Sequence, residues 1–211
     1  MGTADLEDLL RIHPFRTSEK RWEQTFTDAI SRIAWLAEGY ALVGNIAIGV
    51  HARPRFTEQI QVVLSCAPPA AWLEALRHDG YRECKSGVWT LDGLRLSISV
   101  SSSAASVSAT QHARLHTLFG REIRVAEAKD VLWIYLETGE TPESISEVAE
   151  LISSYPQVVE ELRAVIAVGQ SDFVSRLDRW AERVRLSRLS NYSDSVIARR
   201  LEQSVRVDNE E

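Results

Sequence analysis

Tyr40-Ala-Leu-Val-Gly-Asn-Ile-Ala-Ile-Gly-Val-His-Ala-Arg-Pro-Arg-Phe-Thr-Glu-Gln-Ile-Gln-Val-Val-Leu64 is the stretch on which the fold turns. Tyr40 to Val43 is apolar and short, which predicts a buried strand ending at Gly44. Ile46 to Val50 is again apolar, small and unbroken, and predicts the start of a helix packed on that strand. Pro54 disfavours helical backbone at Arg53, so His51 to Arg55 reads as a loop. From Thr57 to Leu64 the chain alternates. Gln59 and Gln61 share one face of a second strand, and Ile60 and Val62 share the other.

On the N-terminal side, residues 17–37 predict a helix. Trp22, Phe26, Ile30, Ile33 and Leu36 recur at three and four, Thr17 or Ser18 serves as N-cap, and Gly39 marks the stop. On the other side, Pro68 and Pro69 open a helix through Trp72, Leu73 and Leu76 that stops near Gly80. Three strands follow, Tyr81 to Cys84, Val88 to Leu91 and Leu94 to Val100, with turns at Ser86-Gly87 and Asp92-Gly93. In the last strand Leu96, Ile98 and Val100 share one face, and Arg95, Ser97 and Ser99 the other. Ser101 to Ser108 reads as a loop, Gln111 to Leu118 as a short helix, and Ile123 to Val125 as a short strand. From Glu127 the pattern is helical: one helix over 127–137, then others opened by Thr141-Pro142, by Pro156 and by Ser171, the last burying Phe173, Leu177, Trp180 and Val184. Periodicity makes core packing the default for the six tryptophans. The expected fold class is α/β (α+β), a mixed sheet with flanking helices and a C-terminal helical region. Residues 1–126 form the α/β domain, 127–190 the helical region, and 191–211 a polar, partly disordered tail.

The chain has 211 residues, 45% of them hydrophobic and 26% charged, enough to bury a core without staples. Its formal net charge of −6 argues against duplex binding by overall charge. Cys66 and Cys84 form no CxxC pair, and the histidines supply no metal-binding spacing, so both cysteines read as reduced structural thiols. Asp5, Glu7 and Asp8 break the apolar N-terminus, which resembles no targeting segment. No stretch reaches the length of a membrane span. The expected location is the cytoplasm.

Residues 40–64 closely resemble the signature of the minimal and abortive-infection-type nucleotidyltransferases of the DNA polymerase β-like superfamily. Members read a hydrophobic strand, Gly-Gly or Gly-Ser, a small-residue helix, His-Gly-x-Pro-Arg, then Thr-x-Asp-x-Asp on the next strand. The resemblance implies a nucleotidyltransferase-type sheet. In the family the glycine turn lets a triphosphate approach the backbone. Two carboxylates on one strand and a third from a later strand hold the metals that align the reacting phosphate.

This sequence departs from that pattern at each of those positions. Gln59 and Gln61 stand for the paired aspartates, Ser97 for the third carboxylate, and Asn45 for the second residue of the glycine pair. Tyr135 stands where a phosphate-binding lysine is expected, and Gly139 to Glu143 where a Gly-Arg segment is. A glutamine offers one weakly ligating oxygen and no charge, so neutral amides do not replace carboxylates around Mg²⁺. Glu58 points away from Gln59 and Gln61 by strand alternation, and Asp92 sits in a turn several residues before Ser97.

The resulting expectation is a catalytically inactive pseudo-nucleotidyltransferase with no catalytic residues, no metal and no cofactor. It acts as a binding, regulatory or assembly protein, and the resemblance suggests a toxin–antitoxin or phage-defence module. A protein partner or homo-oligomer is expected, with no membrane. Gly44, Asn45, Arg53 and Arg55 remain candidates for a nucleotide or RNA phosphate, because a cleft stripped of carboxylates and lined by arginine attracts anions. The rivals are an active, Mg²⁺-dependent transferase with relocated ligands at Glu58, Asp92 and Glu143, modifying RNA or protein, and a metal-independent nucleotide sensor. His51 reads as a structural part of its loop. The serines of 101–108 show no accompanying His and Asp arrangement that would make one a nucleophile.

Overall fold

A computed structural model describes residues 19–36, 39–53, 57–100, 103–139, 141–166 and 172–187. Helix α1 (Glu19–Ala34) leads into β1 (Tyr40–Val43), α2 (Gly44–His51), β2 (Gln59–Leu64) and α3 (Ala70–His78). A meander follows, β3 (Arg82–Lys85), β4 (Val88–Leu91) and β5 (Leu94–Val100). Then come α4 (Ala104–His112), β6 (Arg114–Leu118), β7 (Arg121–Val125), α5 (Ala128–Thr138), α6 (Pro142–Ser154) and α7 (Val158–Val165). Residues 172–187 form a last helix, α8.

The strands make one mixed sheet in the order β3-β4-β5-β2-β1-β7-β6. β2 runs parallel to β5 and β1 parallel to β7, while the remaining neighbours are antiparallel. This is the α/β class with a mixed sheet expected from the sequence. Helix α1 lies on β5 and β7, whereas α2 and α4 lie on β1 and β2 and both lean on α5. One core cluster runs from Phe26 of α1 to Val184 of α8. Leu42, Ile48, Ile60, Leu96 and Leu132, each fully buried, form its centre.

Local chemistry accounts for the element ends. Thr141 accepts a hydrogen bond from the Ser144 amide, and Ser144 Oγ accepts one from the Thr141 amide, a reciprocal cap with Pro142 in the first turn. Asp92 (φ 48°) and Gly93 (φ 84°) close the β4–β5 hairpin as a two-residue turn with both residues left-handed. Such a turn matches the twist of the strands it joins.

Two segments differ from the sequence reading. Residues 104–112 are helix α4, where the sequence reads a loop as far as Ser108 and a helix only from Gln111. Ser103 caps it, its side chain accepting from the Ser106 amide at 3.2 Å. The buried face of α4 is Ala105, Ser106, Ser108, Ala109 and Thr110. Small side chains let the helix approach the sheet and α5 closely, and they carry no large-apolar periodicity to reveal it. Residues 114–118, read as helix, are strand β6. Phe119 (φ 50°) and Gly120 (φ 69°) form a second two-residue turn that pairs Leu118 with Arg121.

Trp72, Trp89, Trp133 and Trp180 are in the core, but Trp35 is 68% exposed, with the Arg32 guanidinium 4.4 Å from its ring centre. Cys66 and Cys84 are free, and both are exposed instead of packed as structural thiols. Among the described residues no helix is long and apolar enough to cross a membrane. The expected N-cap Thr17 or Ser18, the loop residue Arg55 and the tail 191–211 lie outside the described residues.

Candidate functional site

The stretch 40–64 builds its site by turning the chain at Gly44. With φ of 62°, Gly44 is left-handed, and a Cβ placed there would lie 2.0 Å from Gln61 Oε1. Glycine is therefore required twice, for the backbone angle and for the side chain that lies over it. Asn45 follows in the first turn of α2.

β2 carries Gln59 and Gln61 in half-buried positions on one face. The parallel register places Gln61 opposite Ser97 and Gln59 opposite Arg95. Gln59 Nε2 donates to Ser97 Oγ at 2.9 Å. Gln59, Gln61, Ser97 and Gly44 thus converge from three elements, β2, β5 and the β1–α2 turn. Convergence of these positions is what the resemblance implied.

The convergent groups are two amides, a hydroxyl and a bare backbone turn, with no anionic oxygen among them. The Gln59 amide spends an N–H on Ser97, and Gln61 points its carbonyl oxygen at Gly44. A divalent metal of the Mg²⁺ type needs anionic oxygens in near-octahedral array. These residues do not fit one. Among the described residues no group of three or more His, Cys, Asp or Glu could hold a metal ion.

The acidic groups that would have to relocate are engaged elsewhere or face outward. Glu58 is exposed, and its carbonyl accepts from the Arg95 amide at 2.7 Å. Asp92 Oδ2 accepts from Thr25 Oγ1 at 3.4 Å, three residues and roughly 10 Å of chain from the position opposite Gln59. The Glu143 side chain lies outside the described residues. Arg53 and Arg95 are exposed.

His51 ends α2 instead of opening a loop. Its Nε2–H donates to the Ala126 carbonyl at 2.7 Å, tying the helix to the β7–α5 junction. That bond fixes the tautomer, and burial holds the ring's pKa below the usual histidine range. Tyr135, at the expected lysine position, donates to Glu147 of α6 and so joins two helices.

One constellation was hidden from the sequence. Ser108 of α4, read as a loop serine without a recognisable His and Asp arrangement, donates to Asp130 Oδ1 of α5 at 2.6 Å. His112 Nδ1 lies 3.1 Å from the same hydroxyl and 3.7 Å from Asp130 Oδ2. A nucleophilic triad places the imidazole between serine and carboxylate, using both ring nitrogens. Here a single nitrogen faces both groups, and the serine is buried and gives its proton directly to the carboxylate. The cluster is a buried helix–helix tie. Burial raises the Asp130 pKa, and Oδ2 is buried without a hydrogen-bond partner. The i, i+4 spacing of Ser108 and His112 signals this tie only once the segment is known to be helical.

No family model matches the chain, and no curated protein matches it. Solved structures do. The chain is similar to the antibiotic-resistance factor ANT(2'')-Ia in solution, at 19% identity and a TM-score of 0.43, over 82% of this chain and 98% of that one. ANT(2'')-Ia crystallised with adenylyl-2''-tobramycin is similar at 18% identity and a TM-score of 0.46, over 72% of this chain and 98% of that one. An antigenic nucleotidyltransferase-like protein from Paracoccidioides brasiliensis is similar at 14% identity and a TM-score of 0.44, over 75% of this chain and 93% of that one. The structural neighbours are thus nucleotidyltransferases and nucleotidyltransferase-like proteins. The likeness assigns this chain no substrate.

Proposed function

We propose that the chain is a nucleotidyltransferase-type scaffold that does not transfer nucleotides, and that it acts by binding, as a regulatory or assembly protein. The observation that carries this reading is the Gln59–Ser97 hydrogen bond, with the Gln61 oxygen lying over Gly44. The positions that resemble metal-binding carboxylates are neutral, and two of them satisfy each other. The approach to the glycine turn is taken by a carbonyl oxygen, which repels a phosphate oxygen at the same place.

The finer reading draws on the resemblance of residues 40–64 to the abortive-infection-type family. It sets the chain in a toxin–antitoxin or phage-defence module, where its ligand is a protein partner or a second copy of itself. Nucleotide or RNA phosphate at Gly44, Asn45, Arg53 and Arg55 is the sensor alternative within the same scaffold.

The test combines thermal unfolding and label transfer. Each nucleoside triphosphate is added with Mg²⁺ and again with chelator, and transfer of an α-phosphate label to protein or RNA is followed in parallel. A native-state ligand at a hundredfold excess over its Kd stabilises by about 2.7 kcal/mol. The scaffold reading expects no Mg²⁺-dependent shift and no label transfer. A Mg²⁺-dependent shift with transfer overturns it, and a shift that persists in chelator and is lost in Arg53→Ala moves the assignment to the sensor.

A further inference from the structure

A cavity of about 570 Å³ opens at the far end of α2 from Gly44. Its wall is assembled from His51 at the end of α2, Arg114 and His116 of β6, Val125 of β7, and Glu127 to Lys129 at the start of α5. Tyr155, Glu161 and Val165 complete it from α7 and the turn before it. A volume of that order suits a small organic ligand. None of the groups of the amide–hydroxyl cluster lines it.

The cavity retains uncommitted groups of both kinds among the described residues: the terminal nitrogens of Arg114 and a ring N–H of His116 as donors, and Glu161 Oε2 and His51 Nδ1 as acceptors. Glu127 accepts from Arg114 Nε at 2.5 Å through one oxygen and from Lys129 Nζ through the other, so both of its oxygens are engaged by cations. Tyr155 donates its hydroxyl to Glu161 Oε1. Arg114 is held only through Nε among the described residues, which leaves both terminal nitrogens of its fork. His116 has no hydrogen-bond partner among the described residues, and its ring stands edge-on to that of His51 with centres 6.4 Å apart. His51 has spent Nε2 on Ala126 and retains Nδ1.

The Arg114–Glu127–Lys129 triad carries one net positive charge, which Glu161 on the same wall offsets, so the lining turns positive as either of the two imidazoles takes up a proton. A guanidinium fork with free terminal nitrogens matches a tetrahedral oxyanion in bidentate fashion. Val125, Ala128 and Val165 give the rest of a ligand an apolar surface. We propose that this cavity binds a small phosphomonoester, its phosphate held by Arg114, His116 and His51 and its organic part lying toward Tyr155 and Val165. The inference goes beyond the proposed function and holds whichever way the transfer question is settled.

Burial lowers the pKa of both histidines, and His51 and Arg114 depress His116 further. The groups facing them are Arg114, Lys129, Glu127, Glu161 and Tyr155. Both rings are therefore neutral in the free protein at neutral pH, and an arriving dianion favours their protonated forms. Binding takes up protons and tightens as pH falls.

The experiment is calorimetric titration of the full chain at constant ionic strength, with sulfate, inorganic phosphate and adenosine monophosphate as probes. Sulfate stays a dianion between pH 6 and 8, so any change in its affinity over that range belongs to the protein. The expected results are saturable sulfate binding that tightens from pH 8 to pH 6, proton uptake from buffer, and tighter binding of the monoester than of phosphate. Arg114→Gln, on an exposed strand position, weakens binding by about tenfold or more, the loss of a charge-assisted contact. His116→Gln removes most of the pH dependence. Absence of saturable binding by all three probes overturns the proposal. So does binding that ignores Arg114→Gln and His116→Gln but vanishes in Arg53→Ala, because the anion would then sit at the first cleft. Equal affinity for phosphate and monoester overturns the assignment of the organic part.

Discussion

The two ends of α2 differ in kind. At its start Gly44 meets Gln61, with Gln59 and Ser97 beside it, a cluster of neutral groups in which Gln59 donates to Ser97. At its end His51 opens on Arg114, His116, Glu127 and Lys129, a cluster of charged and titratable groups with donors to spare. Six residues lie between Gly44 at the uncharged site and His51 at the charged one. A sheet whose convergent residues at the glycine turn are neutral can still carry chemistry-bearing residues. They sit where the helix ends, not where the signature resemblance directs attention.

The largest expected effect falls on the neutral end. Gly44→Ala forces a left-handed alanine and drives its Cβ into Gln61 Oε1, so it costs about 1–3 kcal/mol for the backbone alone and more for the clash. Chemical denaturation of Gly44→Ala and of Gly44→Ala/Gln61→Ala checks this. The double variant recovers the steric part and keeps the backbone cost. Recovery of full stability would show that the turn is not strained for alanine.

The next effect concerns pH and the buried tie beside this helix. Burial holds the Asp130 pKa above its value in the unfolded chain, despite opposing contributions from Ser108, Lys129 and His112. The folded state therefore binds that proton more tightly than the unfolded state does. The resulting stability is full below the unfolded pKa and is lost as pH rises through the raised folded value. Asp130→Asn keeps an acceptor for Ser108 and carries no proton to lose. Urea unfolding across the acid range should show that the fall in stability is removed in Asp130→Asn. An unchanged profile would place the titration elsewhere.

Smaller effects sharpen the comparison. Ser97→Ala leaves the Gln59 amide without its partner and costs about 1 kcal/mol, read from the shift in denaturation midpoint. Thr141→Ala removes the cap of α6, a residue that lines neither the cavity nor the Gln59–Ser97 cluster, and costs about 1 kcal/mol, again as a midpoint shift. It should leave anion and nucleotide titrations unchanged, which makes it the stability-matched control.

Most of the sheet was legible because its signals are local. Tyr40 to Leu64 alternates or runs apolar at lengths that only a strand, a short helix and a strand satisfy, and Asp92-Gly93 announces its own turn. α4 was not legible, because its buried face is serine, alanine and threonine, which pack by smallness and not by hydrophobic period. β6 was misread because Leu115 and Leu118 mimic helical spacing, while the turn that pairs it uses Phe119, a residue rarely found left-handed. Strand alternation put Gln59 and Gln61 on one face, while Ser97 joined them only through the family resemblance, because nothing in the sequence reports the register of β2 on β5. The charged cavity did not follow, since α2, β6, α5 and α7 contribute to it from positions more than a hundred residues apart. No periodicity reports such an assembly.

A cluster made of Gln59, Gln61 and Ser97 carries no anionic oxygen and should hold no divalent metal. Mn²⁺ binding followed by electron paramagnetic resonance tests it most directly, on the native chain and on Gln59→Asp/Gln61→Asp/Ser97→Asp. The account predicts an unperturbed free-ion spectrum with the native chain, with or without nucleoside triphosphate beyond the nucleotide's own complex. It predicts bound ion in the triple variant. Stoichiometric Mn²⁺ bound by the native chain, and lost when Gln59 or Gln61 is changed to alanine, would contradict it.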